Sequence, residues 1–203
     1  METLEKNDIT KLLLCNSHIG KKTCENLMKG YVWRERKDGV FIINISKTIK
    51  KIKLAARVIA AVKDSNNIVA ISTGQYSHKA VLKFSALLKC QVVTGKWISG
   101  KLTNHQCKGF LEPELIIIAN PSEDHQSVIE ASQANIPTIA FCNTDTSLKF
   151  IDIAIPGNNE NTYSIAFLWW ILTREALKYN GQIEEEKSWD VPLQMFLDLP
   201  SKN

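Results

Sequence analysis

Six short runs rich in β-branched and other apolar residues recur along the chain, and segments with helical spacing separate several of them. The runs are FIINI at 41–45, IVAIS at 68–72, QVV at 91–93, LIIIA at 115–119, IPTIAF at 136–141 and IDIAI at 151–155. Several are apolar at nearly every position, which is typical of strands in a parallel sheet that is covered on both faces. Parallel strands need long crossover connections, so this pattern restricts the fold to the α/β class.

Helical spacing of apolar residues predicts the crossovers. The predicted helices lie at 50–63, at 76–88, after Pro121-Ser122, and at 162–179. We expect Ser122 to cap the third helix, and Asn180-Gly181 to end the fourth. Strands that alternate with such helices predict a three-layer α/β/α fold with an open, mostly parallel, doubly wound sheet of the Rossmann or flavodoxin type.

The domain organisation follows from length and composition. At 203 residues the chain has the size of one domain, and it contains no internal repeat or long Gly/Ser linker. We expect a single α/β domain at 1–181. Residues 182–203, which include Glu184-Glu185-Glu186, are expected to form an extended C-terminal arm on the surface.

Charge is divided unequally along the chain. Residues 1–110 hold 20 of the 25 Lys and Arg residues but 7 of the 21 acidic ones, a net charge of +13, whereas the remaining residues carry −9. Cations that neutralise phosphates release condensed counterions, which is the main source of sequence-independent affinity for nucleic acids. The basic half makes RNA a candidate partner, and chance segregation of surface charge is the alternative.

Basic and aromatic residues in segments expected to be loops are the candidates for RNA contacts, because such loops can bind phosphates while rings stack on bases. Tyr31 and Trp33 supply further rings beside them. The candidates are Lys21, Lys22, Arg34, Arg36, Lys37, Lys96, Trp97, Lys101 and Lys108. A solvated basic face is the alternative interpretation.

Nucleotide-binding and catalytic motifs are incomplete. Residues 95–102, GKWISGKL, fit the phosphate-loop pattern G-x-x-x-x-G-K, but Leu102 stands where Mg²⁺ needs a hydroxyl, so we interpret them as a basic turn. Asp124-His125 and Asn143-Thr144-Asp145 follow predicted strands but have no evident nucleophile. A first helical turn and a loop turn are the simpler interpretations of these two segments, and we expect no enzymatic activity.

The cysteines and the N-terminal segment indicate a cytoplasmic protein without a metal or cofactor. The five cysteines form no C-x-x-C pair, which indicates reduced thiols. Cys15 and His18 have a C-x-x-H spacing, yet no second ligand pair follows, so we expect no structural zinc site. METLEKNDITK lacks the apolar core of a signal peptide, and the apolar stretch at 165–172 is too short to span a bilayer.

Longer motifs cover nearly the whole chain. They are SHIG at 17–20, YVWRERKDGVFIINISKT at 31–48, GFLEPELIIIANPSEDHQSVIEAS at 109–132, NIPTIAFCNTDTSLKFIDIAIPGNN at 135–159 and FLWW at 167–170 followed by Arg174-Glu175. The fourth closely resembles the signature of the eukaryotic small-subunit ribosomal protein SA family, also called the laminin-receptor precursor family, the counterpart of the bacterial second small-subunit protein. The second is similar to the basic hairpin and following strand of that family.

The resemblance implies a structural constituent of the small (40S) ribosomal subunit that binds rRNA and neighbouring ribosomal proteins. It also implies a part in subunit assembly and late rRNA maturation, on a nucleotide-binding type of fold that is not used for catalysis. An enzyme or nucleotide-dependent switch and an extracellular adhesion receptor are the rival functions. Larger animal members carry an acidic C-terminal extension often linked to laminin binding, and this sequence matches a short form without it.

The sequence departs from the family pattern at a few positions. Residues 96–104, KWISGKLTN, replace the usual R-F-x-P-G-x-F-T-N. Lys21, Asn120 and Ser147 stand where Gly, Asp and Pro are usual. These differences concern the local geometry of loops.

Overall fold

The computed structural model describes residues 2–183 and 189–198, with side chains from residue 7 onward. Glu184-Glu185-Glu186 and the end of the predicted arm at 199–203 lie outside the described residues. The helices are α1 (Glu2–Leu14), α2 (Ile45–Ala61), α3 (His78–Leu88), α4 (His125–Gln133) and α5 (Thr162–Tyr179). The strands are β1 (Val32–Glu35), β2 (Phe41–Ile43), β3 (Ile68–Ser72), β4 (Gln91–Thr94), β5 (Leu115–Ile118), β6 (Thr138–Cys142) and β7 (Ile153–Pro156).

Strands β3 to β7 form one parallel sheet in the order β4-β3-β5-β6-β7. Helices flank the sheet, so the predicted three-layer α/β/α fold is confirmed. Counted within the sheet, the order is 2-1-3-4-5, which is the flavodoxin-like arrangement. The order reverses between β3 and β5, and in such sheets this switch point opens a crevice at the carboxyl ends of the two strands.

The two faces of the sheet are covered differently. Strands β3, β5 and β6 are buried at every position, and alternate residues point to opposite faces. On one face, Ala70, Ile117 and Phe141 share a hydrophobic cluster with buried residues of α2, α3 and α5. On the other face, Ile71 and Ile118 pack with α4 and with irregular segments that contribute the buried side chains of Met28, Trp97 and Leu102.

The run at 41–45 forms a strand, but this strand lies outside the parallel sheet. Strand β2 pairs with β1 in a separate two-stranded antiparallel sheet, as the resemblance to a basic hairpin implied. Asn44 then caps α2, because its side chain accepts the backbone N–H of Ser46 at 3.1 Å. The cap explains why α2 begins earlier than the apolar spacing predicted.

Two features at helix starts differ from the prediction. Helix α1 was not predicted; Leu12 is fully buried in the first face's cluster. Ser122 does not cap α4, so that prediction is wrong: Asp124 occupies the cap position. The Asn120 side chain accepts the Ser122 N–H at 3.2 Å, and the Asn120 carbonyl accepts the Asp124 N–H at 3.0 Å, so residues 120–124 form a turn first.

Helix α5 runs through the core as predicted and ends with Asn180 in the cap position. Trp169 is fully buried, and the Trp170 Nε1–H donates to the carbonyl of Val191 at 2.9 Å. The ring of Trp189 lies 5.2 Å from that of Trp170, and Phe196 is fully buried. Residues 189–198 therefore pack on the core, and the division into a domain at 1–181 and an arm at 182–203 stays a prediction.

Candidate RNA-binding surface

The β1–β2 hairpin presents a basic and aromatic tip to solvent. Arg34, Arg36 and Lys37 are exposed, and the side chain of Trp33 is 67% exposed. Gly39, at φ +78°, makes the turn possible and donates its N–H to the Arg36 carbonyl at 2.9 Å. Arg36 pairs with Asp38 at 3.0 Å, but both side chains are more than 60% exposed, and such a pair binds weakly enough to open for a phosphate.

A short segment before the hairpin pairs along β2 and anchors it to the parallel sheet. The Gly20 N–H donates to the Phe41 carbonyl at 2.9 Å, and the Ile43 N–H donates to the His18 carbonyl at 2.8 Å. The Lys21 N–H donates to Thr144 Oγ1 at 2.9 Å, which ties the segment to the loop after β6. The hairpin is therefore held along β2 and exposed at its turn.

The side chains of Lys21 and Lys22 differ in availability. Lys21 Nζ lies 2.8 Å from Asp145 Oδ2 and also pairs with Glu160. The hydrogen bonds with these two carboxylates raise the pKa of Lys21. Lys21 therefore ties protein segments together, whereas Lys22 is exposed.

The loop after β4 carries the other candidate residues. Lys96 and Lys108 are exposed, and residues 99–103 form turns as expected of a basic turn. Trp97 is only 8% exposed, so its ring is not a platform on which bases can stack. The Lys101 ammonium lies 5.6 Å from the centre of the Trp97 ring, a cation–π distance.

A buried carboxylate holds this loop against α4. Glu130 is 2% exposed, and its side chain accepts the Gly100 N–H at 2.9 Å and the Gln126 amide at 3.0 Å. The Leu102 N–H points at the same carboxylate from 3.5 Å. Burial by itself would raise the pKa of Glu130, but the hydrogen bonds from Gln126 and Gly100 outweigh it and lower the pKa. Sequence reasoning missed Glu130 because the loop residue that it holds, Gly100, lies 30 residues away in the sequence.

A basic groove between α2 and residues 27–31 was also missed. It has a volume of about 520 Å³, and Lys47, Lys50, Lys51 and Arg57 lie along it. Leu27, Leu54 and Tyr31 complete its lining with apolar surface. Positions 47, 50, 54 and 57 fall on one helical stripe of α2, but Lys47 lies before residue 50, where the helix was predicted to begin.

The crevice at the switch point is unsuited to phosphate. Asp124 is 1% exposed at the mouth of this crevice, and its Oδ2 accepts the Thr73 N–H at 3.5 Å. Burial raises the pKa of Asp124 to about 6, so the side chain is mostly an anion at neutral pH. Glu123 lies directly against Gly74, where a phosphate would approach the backbone. Two carboxylates thus occupy the place where related folds bind a nucleotide.

The second segment considered for catalysis forms a turn. Asn143 Oδ1 accepts the Thr144 N–H at 2.8 Å, and Thr146 Oγ1 accepts the Asn143 N–H at 3.1 Å. These local bonds confirm the interpretation of Asn143 as a turn residue. Asp145 Oδ2 accepts a hydrogen bond from Lys21 Nζ at 2.8 Å.

None of the helices described in 2–183 and 189–198 has the length and hydrophobicity needed to cross a bilayer.

The family described as ribosomal protein S2 matches residues 12–109 and 107–178, which is most of the chain.

The chain is similar to several curated proteins over most of its length. It is 44% identical to small ribosomal subunit protein uS2B of Schizosaccharomyces japonicus over 94% of this chain and 68% of that protein. It is 44% identical to small ribosomal subunit protein uS2 of Aedes aegypti, over 95% of this chain and 67% of that one. It is 41% identical to the uS2 protein of Diaphorina citri, of which it covers 64%. The match of both family and relatives across the sheet, the hairpin and α5 shows that this chain belongs to the ribosomal protein S2 family.

Proposed function

We propose that this protein is a structural constituent of the small subunit of a eukaryotic ribosome and acts in translation in the cytoplasm. The observation that carries the proposal is the 44% identity to small ribosomal subunit proteins over more than nine-tenths of the chain. The role needs binding surfaces and no catalytic group. It needs no bound nucleotide either, and the two carboxylates in the crevice disfavour a phosphate there. We extend the proposal to subunit assembly and late maturation of the rRNA, which the family resemblance implies.

The hairpin tip is our principal candidate for contact with rRNA. Arg34, Arg36 and Lys37 place three cations on the exposed end of β1 and the turn that follows it, where they can neutralise successive phosphates. The exposed ring of Trp33 can stack on an unpaired base beside them. Lys22, Lys96, Lys101 and Lys108 are secondary candidates for phosphate contacts, whereas Lys21 would have to leave two carboxylates and Trp97 would have to leave the core.

Sedimentation at increasing salt tests this function. Lysates of cells that express the tagged chain are separated on sucrose gradients after dissociation of the subunits. We expect the protein to travel with the small subunit, and recovery only at the top of the gradient would contradict the proposed function.

A triple variant, R34A/R36A/K37A, tests the site within the same experiment. Losing three phosphate contacts should weaken binding at every salt concentration. It should also reduce the slope of log K, the binding constant, against log salt concentration by about three. The matched control is K63A/K79A/K83A, which removes the same charge from exposed positions on and near α2 and α3. If both variants stay with the subunit equally at high salt, the hairpin is not the main rRNA contact.

A further inference from the structure

The groove between α2 and residues 27–31 combines a cationic rim with an apolar floor. Lys47, Lys50 and Arg57 lie along one stripe of α2 that is about 15 Å long at 1.5 Å per residue. Leu54 interrupts this stripe, and the 59%-exposed side chain of Leu27 faces the same groove from the opposite wall. None of the described residues lining the groove is acidic.

Two of the four cations, Lys47 and Lys51, are held in place by contacts within the groove. Lys47 Nζ donates a hydrogen bond to the Gly30 carbonyl, which joins α2 to the opposite wall. The Lys51 ammonium lies 5.8 Å from the centre of the Tyr31 ring. The Asn44 N–H donates to the Tyr31 carbonyl at 2.9 Å, so the start of α2 fixes the wall on which Tyr31 stands. The groove is therefore a formed surface with fixed walls.

This arrangement fits a protein segment better than RNA. An apolar centre surrounded by charges is the usual anatomy of a protein–protein interface. A track for phosphates needs no leucines at its centre, and an aromatic platform for bases needs a free ring face, whereas Lys51 stands over Tyr31. The hairpin tip, with its exposed Trp33, already provides the surface that single-stranded RNA prefers.

We propose that this groove binds an acidic segment of a neighbouring protein in the small subunit, with an apolar side chain between Leu27 and Leu54 and Asp or Glu residues against the four cations. The proposal rests on the proposed function, because it places the partner in the assembled subunit. An amphipathic helix is one segment that fits, since acidic residues at i, i+3 and i+10, with an apolar residue at i+7 against Leu54, can follow the stripe of cations on α2.

Site-specific photocrosslinking in assembled subunits tests the occupant. A diazirine-bearing amino acid, which inserts into protein and RNA alike, replaces Leu54 in one sample and Trp33 in another. Small subunits are purified at high salt and irradiated, and the linked fragment is identified by mass spectrometry. We expect the Leu54 position to link to a peptide that has an apolar residue at the link and net negative charge around it.

The outcomes separate this inference from the proposed function. If the Leu54 position links to rRNA, or forms no link while the Trp33 position does, the groove does not bind an acidic protein segment. A link to a peptide without acidic neighbours would contradict it equally. If neither labelled protein enters the small subunit and the unlabelled chain also stays out, the proposed function itself fails.

Charge reversal provides a second readout that does not depend on the label. K50E/R57E should lower the yield of the Leu54 crosslink at least tenfold, because it places two anions opposite an acidic partner. The control K79E/K83E makes the same charge change on the exposed side of α3 and should leave the yield unchanged. Equal crosslink yields in the two variants would show that Lys50 and Arg57 do not bind acidic residues of the partner.

Discussion

The carboxylate of Glu130 accepts the backbone N–H of Gly100 at 2.9 Å, so a single buried side chain of α4 fixes the loop that carries Lys96 and Lys101. The loop has no regular secondary structure, and the backbone N–H groups of Gly100 and Leu102 would otherwise lack these partners. Gly100 has φ +91°, a conformation that strains any other residue. The pair therefore decides where these two cations are held.

Replacing Glu130 with Gln should destabilise the protein by roughly 2–3 kcal/mol, because the part-buried hydrogen bonds from Gly100 and Gln126 lose their charge assistance. Thermal unfolding at pH 7 measures the loss, and hydrogen exchange should show faster exchange at residues 100–102. The pKa of Glu130 is lowered from 4.5, so its contribution is present above that pH and is lost as the pH falls through the lowered value.

The control for Glu130 is Glu112→Gln, at a carboxylate whose side chain is 73% exposed beside the same loop. We expect it to change stability by less than about 0.5 kcal/mol. Equal effects of the two substitutions would show that Glu130 does not hold the loop.

Replacing Asp124 with Asn should stabilise the protein at neutral pH. Its pKa is raised from 3.8 to about 6 by burial, which means that the folded state binds the proton more tightly than the unfolded one. The protonated form of Asp124 therefore stabilises the folded state by at most roughly 3 kcal/mol. This contribution is fully present below pH 3.8 and is lost as the pH rises through about 6.

The measurement for Asp124→Asn is the midpoint of urea unfolding at pH 7.5 and at pH 4.5. The variant should exceed the wild type at the higher pH, and the difference should shrink at the lower one. A variant that is less stable at both values would mean that Thr73 or another partner needs the carboxylate.

Breaking the buried pair between Asp8 and Arg174 should release α1 from α5. Arg174 donates to both oxygens of Asp8, at 3.0 and 2.6 Å, and both residues are 8% exposed. Asp8→Ala leaves the cation buried with Glu175 as its remaining carboxylate partner, and we expect a loss of about 2–4 kcal/mol.

A double-mutant cycle with Arg174→Met measures the coupling between the two side chains. The exposed pair of Arg36 and Asp38 offers a matched cycle, for which we expect less than about 1 kcal/mol. Similar coupling in both cycles would contradict the role assigned to the buried pair.

Replacing Gly20 with Ala should displace strand β2 of the hairpin. A Cβ at this position would lie 2.9 Å from Thr144 Oγ1 and 3.0 Å from the Phe41 carbonyl oxygen, so the backbone must move. We expect a destabilisation of about 1–3 kcal/mol. Gly30→Ala is the control, because a Cβ there meets no atom within 4 Å. Unfolding midpoints that shift equally for both variants would rule out this close contact.

The parallel sheet could be predicted because complete burial leaves its mark on every residue of a strand. Residues 68–72 and 115–118 are buried at each position and apolar at nearly all of them. The sequence could not show that 41–43 leaves this sheet, because β-branched residues favour a strand but do not specify its partner. Helix α1 escaped prediction because it has almost no amphipathic pattern, and the ion pair between Asp8 and Arg174 joins residues far apart in sequence.

The candidate site was predictable in composition but only partly in arrangement. Trp33 and Arg34 were expected in a loop and lie on the exposed strand β1 of the hairpin that the family resemblance implied. The burial of Trp97 depends on its packing against the sheet face that carries Ile71 and Ile118. Lys21 carries a charge like any other lysine in the sequence, and only the fold brings Asp145 and Glu160 to it. Pairing across more than 100 residues leaves no local signal.

The two faces of the parallel sheet are covered by different kinds of segment, so they tolerate different substitutions. On the face packed by α2, α3 and α5, a substitution must satisfy several helices at once. On the opposite face, α4 must keep its packing, but the short segments beside it need only keep an anchor such as Met28 or Leu102 in place, and the positions between anchors can change. Loops can thus exchange charges, or gain and lose residues, as the ribosome around them diverges while the sheet keeps its register.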